Sequence, residues 1–136
     1  MMPVDVVLDC FGLMHAADQA EAMAERAARM APGGVLLMQY HSLATIVRHG
    51  QWNSLRHGHF AYYSTTALVP LLASAGLAPR SAWSFDLYSG TVLLAATRTG
   101  GGTSGPDGAV EALLADERDL RVEPRRPQLL TGLRVE

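Results

Sequence analysis

The sequence predicts an α/β fold with a parallel βαβ unit and a hairpin, and three observations lead there. A β-branched run at residues 4–8, a helical stretch at 18–30 and a second apolar run at 35–40 follow one another as strand, helix, strand. Such a unit crosses over right-handed and sets its two strands parallel. Two further strand candidates, 78–87 and 91–97, are joined by Tyr88-Ser89-Gly90, a hairpin signal. At 136 residues the chain is large enough to bury one core and too short for two ordinary domains.

Taken in order, Val4-Asp5-Val6-Val7-Leu8 is nearly continuous in apolar character, as expected of a parallel strand buried between neighbours on both sides. In the helix, Ala20, Met23, Ala24, Ala27 and Met30 recur at helical spacing, while Glu21, Glu25, Arg26 and Arg29 take the other face. Asp18 is placed to cap it, and Pro32-Gly33-Gly34 stops it and turns the chain into the second strand. After His41 a short helix-prone piece at 42–48 gives way to a polar loop at 49–56. Ser64 or Thr65 can cap a helix that carries Leu68, Leu71 and Leu72 on one face, ends at Gly76 and bears the cost of Pro70 within it. Met14, Met23, Met30 and Met38 read as core filler. The organisation expected is a unit at 1–98, a flexible Gly, Ser, Thr and Pro-rich linker at 99–108, and a region at 109–136 made of a short amphipathic helix and a poorly ordered tail.

Composition narrows the partners. The chain is 49% hydrophobic and 18% charged with a net charge of −2, so no basic face argues for nucleic acid. The single Cys10 leaves no internal disulfide and fits a reducing compartment. No basic segment leads into a long apolar run at the start, and no apolar stretch approaches membrane-spanning length. The expectation is a cytoplasmic protein with no membrane partner.

The chemistry concentrates at Arg56-His57-Gly58-His59-Phe60-Ala61-Tyr62-Tyr63-Ser64. Imidazole titrates near neutrality, so a His-X-His followed by two phenols is a candidate acid/base site. Alternation along an extended segment would set His57 and His59 on one side, which also suits a metal. No third ligand is placed by the sequence, because Cys10, His15, His41 and His49 are scattered, and no metal is assigned. Tyr62 and Tyr63 are further candidates, with packing at a helix entry the reading for at least one of them.

These segments together resemble the second half of the cofactor domain of class I S-adenosylmethionine-dependent methyltransferases. The match runs through the strand at 4–8, Gly12-Leu13-Met14-His15 after it, and Arg29-Met30-Ala31-Pro32-Gly33-Gly34-Val35-Leu36-Leu37, where the family has an Arg-X-Leu-Lys-Pro-Gly-Gly turn into a strand. The histidine segment is similar to the His-Glu-His-Leu-Ser-Tyr-Phe-Ser motif of the sugar C-methyltransferases. His57, His59, Tyr62 and Ser64 match; Gly58 stands in place of the acid, and Arg56 where Tyr is common. Ser89-Gly90-Thr91-Val92-Leu93 resembles a further motif, and 109–117 the start of the C-terminal region, so the likeness covers 4–120.

The resemblance implies a partial Rossmann-like class I methyltransferase sheet, comprising that fold's fourth to seventh strands with their helices and ending in an antiparallel hairpin. It implies S-adenosylmethionine as cofactor and a nucleotide-linked keto deoxysugar as substrate. His59 is then the base that removes the proton next to the ketone, with His57 orienting it or contacting the nucleotide sugar and Tyr62 as a third catalytic candidate. Cys10, Phe11 and His15, at the carboxyl end of the first strand, are the cofactor-binding candidates, against plain packing for Cys10 and Phe11 and an exposed loop position for His15. The family's Gly-rich loop, its first three strands and its zinc-binding module have no counterpart here. The expectation is therefore a truncated C-methyltransferase-like chain whose uncovered sheet edge self-associates or recruits a partner chain. A non-catalytic remnant or accessory subunit, and a small-molecule O-methyltransferase, are the rival readings.

Overall fold

Two apolar runs joined through a helix can bury their side chains and satisfy their backbones by pairing in parallel. They do so in the computed structural model of the chain, which describes residues 2–100 and 105–120. Strand β1 (Val4–Cys10) pairs parallel with β2 (Met30–His41) through helix α1 (Gln19–Arg29). Helices α2 (Leu43–His49) and α3 (Thr65–Ser74) follow, then the hairpin of β3 (Leu77–Phe85) and β4 (Thr91–Arg98), and last α4 (Gly108–Asp119). The sheet order is β1-β2-β4-β3, with β4 antiparallel to both of its neighbours. Residues 121–136 and 101–104 lie outside the described residues, and with them the tail and four of the ten linker positions.

Pro32-Gly33-Gly34 behaves differently from the expected turn between elements. It is a bulge inside one strand, where the register jumps from Val4↔Met30 to Val6↔Val35. A Cβ on Gly34 would stand 3.0 Å from the carbonyl oxygens of Ala31 and Asp5, so only glycine lets the strands close here.

The capping signals translate directly. Asp18 accepts from the Glu21 N–H at α1, Ser42 from Thr45 at α2 and Ser64 from Ala67 at α3. The buried face of α1 is Ala22, Met23 and Ala27, whereas Ala20 and Ala24 are exposed. Arg26, expected on the solvent face, turns inward to an ion pair with Asp9 at 2.5 Å. The helix is rotated because a buried carboxylate on β1 needs a cation, and small alanines mark a face too weakly to resist.

One core lies between the sheet and α1, α3 and α4. Cross-strand partners Met38, Leu94 and Ala82 meet Met23, Leu68, Leu72 and Val110 there. Helix α4 docks by Glu117, whose buried carboxylate accepts from Thr65 N (2.6 Å), Thr66 N (2.7 Å) and Thr66 Oγ1 (2.6 Å) and so caps α3 from a distance in sequence.

The other face of the sheet is different. Val6, Leu8, Trp83 and Phe85 are 53%, 62%, 47% and 50% exposed, and their cross-strand partners show that they share one side. The sequence expectation of β1 as a strand with neighbours on both sides therefore fails. Among the described residues β1 is an edge strand with an apolar flank in water.

Candidate active site

Strands β1 and β2 end on the same side of the sheet, and the segments leaving their carboxyl ends wall a cavity of ≈ 440 Å³. Phe11 and His15 come from behind β1, His41, Arg56 and His59 from behind β2, and Tyr88 from the β3–β4 hairpin. Among the described residues no carboxylate lines this cavity; the polar atoms of its wall are imidazoles, amides, hydroxyls and one guanidinium.

His59 sits at the meeting point of two loops. The Phe60 N–H donates to the Met14 carbonyl at 2.8 Å, and His15 Nδ1–H donates to the Gly58 carbonyl at 2.8 Å. That bond fixes the His15 tautomer and leaves its Nε2 as an acceptor. The two imidazoles lie edge to face with centroids 4.8 Å apart, and the Tyr62 ring stands 5.5 Å from His59 on the other side. His59 Nδ1 is shielded and has no protein partner, so Nε2 is the nitrogen left to exchange a proton with a molecule in the cavity. Burial, then the neighbouring His15 and Arg56, holds its pKa below the ordinary histidine value. The ring is therefore neutral at pH 7 and available as a base.

The expected extended segment is a turn. The His59 N–H closes onto the Arg56 carbonyl at 3.4 Å and Gly58 has φ +87°, which throws His57 outward to an exposed corner off the cavity wall. A glutamate at 58, as in the resembling motif, would have to adopt this left-handed backbone at about 1 kcal/mol or more. Tyr62 Oη accepts the Arg56 N–H at 2.7 Å and staples the turn shut. Tyr63 is core: it is buried, edge-on to Tyr40 at 6.4 Å, and its phenol is pushed upward by burial.

Of the three residues expected near a cofactor, Phe11 and His15 line the cavity. Cys10 is exposed, paired with Gln39 on the sheet face that carries Leu8. Phe11, Tyr88 and Ser89 adopt left-handed φ of 57°, 53° and 61°, and all three border the cavity. Strained backbone of this kind clusters at sites that bind or react. Among the described residues no group of three His, Cys, Asp or Glu side chains is arranged to hold a metal ion.

No family model matches the chain. It is 29% identical over 110 residues to the C-methyltransferase NovU of Streptomyces niveus, an alignment covering 80% of this chain and 25% of that protein. The chain thus spans about a quarter of the length of the curated relative it matches. Among solved structures, magnesium protoporphyrin IX methyltransferase (ChlM) from Synechocystis PCC 6803, with bound SAH, superposes with a TM-score of 0.55 at 13% identity. That superposition covers 73% of this chain and 47% of the other. The fold is that of a class I methyltransferase.

Within this methyltransferase fold, sequence reasoning missed His41, Gln51 and Tyr88 as parts of the site. His41 Nε2 meets Gln51 Oε1 at 3.0 Å, and burial lowers its pKa. The available signal was the polar stretch at 49–56, which follows a parallel strand after one short helix and reads as a loop, the usual place for binding residues. Because His41 and His59 both resist protonation in the fold, the unfolded chain takes up more protons as pH drops below about 6.5. The folded state is therefore expected to lose stability from pH 7 towards pH 5, measurable as a falling denaturant midpoint. A midpoint that rises on acidification would contradict the environments assigned to both rings.

Proposed function

We propose that this chain is the catalytic half of an S-adenosylmethionine-dependent C-methyltransferase acting on a nucleotide-linked keto deoxysugar in the cytoplasm. The observation that carries the reading is His59: a neutral, half-buried imidazole beside His15, in a cavity that no carboxylate of the described residues lines. Methylation of a carbon next to a ketone requires loss of the α-proton, and His59 Nε2 is the group suited to take it. Arg56, at the same wall, suits the negative charge of an enolate or diphosphate and does not donate a proton at neutral pH. When bound, S-adenosylmethionine supplies the electrophilic methyl group.

The residues of this chain do not enclose that cofactor by themselves. Phe11 and the end of β1 offer one wall, but among the described residues no Gly-X-Gly turn leads into a helix and supplies a backbone cradle. Titration calorimetry of S-adenosylmethionine into the chain is expected to give weak or no binding. A micromolar dissociation constant, about −8 kcal/mol, would overturn this division of labour.

The open sheet edge favours a second reading, in which the chain acts with a partner that completes the sheet. The exposed β1 edge and the flank of Val6, Leu8, Trp83 and Phe85 support it. Sedimentation is expected to reveal self-association or partner recruitment that Leu8→Arg weakens. A wild-type chain that stays monomeric at all concentrations and binds no cofactor-binding half would remove this reading.

A further inference from the structure

We infer that Asp9 and Arg26 are positioning residues for the His15–His59 pair, an inference that rests on the acid/base reading of that pair. Asp9 is 6% exposed and lies two residues before Phe11 of the cavity wall, yet its carboxylate is not part of that wall. Instead Oδ1 accepts the Gly12 N–H at 2.9 Å and the Leu13 N–H at 3.1 Å, which starts the 3₁₀ turn Leu13–His15. Oδ2 takes Arg26 Nε at 2.6 Å and Nη2 at 2.5 Å, and Arg26 Nη1 is itself tied to the Ala22 carbonyl at 2.8 Å. The carboxylate is therefore clamped to α1 on one side and to the turn on the other.

The turn passes this anchoring on to the histidines by two bonds already described, Phe60 N–H to Met14 O and His15 Nδ1–H to Gly58 O. The line from Arg26 to His59 thus consists of an ion pair and short hydrogen bonds between elements far apart in sequence. Two further features point the same way. Phe11, next to Asp9's end of the strand, is held at φ +57°, a conformation that needs support on both sides. Gly12 packs so closely that a Cβ there would stand 2.9 Å from Asp9 Oδ2. The turn is locked against the carboxylate, and with it the placement of His15 beside His59.

The bland alternative is a buried ion pair that only stabilises the fold, and the readout must separate the two. The experiment is a proton NMR titration of the His59 ring in the 136-residue chain without cofactor or substrate, together with the His15–His59 ring cross-peak. Asp9→Ala is expected to abolish the cross-peak and move the His59 titration upward towards the ordinary histidine value, since His15 leaves its side. Asp9→Asn, which keeps the acceptor for Gly12 and Leu13, is expected to retain the cross-peak. Glu117→Gln, remote from the turn, serves as a destabilised control and should leave both signals in place. Should Asp9→Ala fail to fold, Gly12→Ala tests the same lock by pushing on Oδ2. Retention of the wild-type cross-peak and titration in a folded Asp9→Ala or Gly12→Ala variant would overturn the assignment. Because neither signal needs methyl transfer, the positioning role and the proposed activity can fail separately.

Discussion

His59→Ala, in a form of this chain joined to a Gly-rich cofactor-binding half, is expected to lose both methyl transfer and exchange of the substrate's α-proton into deuterated water. The base acts before the methyl group moves, so both readouts must fall together. A general base is worth about 10²- to 10⁴-fold, and that is the loss expected in kcat/KM. His59→Asn keeps comparable bulk without basicity and should behave alike. His57→Ala should leave exchange nearly intact, because that ring sits on the exposed corner of the turn. The exchange rate of the unsubstituted enzyme should hold its plateau to below about pH 6.5, since His15, Arg56 and burial all favour the neutral His59 ring. Exchange that survives His59→Ala would transfer the base to His15, the neighbouring imidazole that also lines the cavity.

Glu117→Ala is expected to cost roughly 3 kcal/mol of stability, the largest structural effect foreseen for a residue outside the cavity. The carboxylate is 2% exposed and is the shared acceptor for two backbone N–H groups and one hydroxyl at the start of α3. Its removal leaves buried donors without partners and loosens α4, which is otherwise held by the buried Val110, the Asp107 N–H to the Arg80 carbonyl and the exposed Arg48–Asp116 pair. The melting temperature should fall by about 10 °C for a domain of this size. A melting temperature within 2 °C of the parent, against about 10 °C expected, would show that α4 contributes little to the fold.

Element type and order were legible in the sequence because they rest on local rules. Alternation of strand-like and helix-like runs, and caps such as Asp18, Ser42 and Ser64, act within a few residues and do not depend on distant partners. The same holds for His59 as a candidate base, since its motif is contiguous. What failed were readings that needed to know the neighbour. Arg26 was expected in solvent because charge alone suggests exposure, and only the fold brings Asp9 beneath it. His57 was expected beside His59 because alternation assumes an extended chain, and Gly58 bends it instead.

The sequence by itself determined the parallel β1–β2 unit and the closing hairpin, since each follows from spacing along the chain. Only the tertiary structure decided which imidazoles share a cavity. His15 and His59 are 44 positions apart and meet through two hydrogen bonds between loops, a contact that no local pattern encodes. It also decided that one sheet face is packed and the other open. Apolar residues alternate on both faces of these strands, and the choice of face falls to the helices, which bury Met38 and Leu94 and leave Leu8 and Trp83 in water.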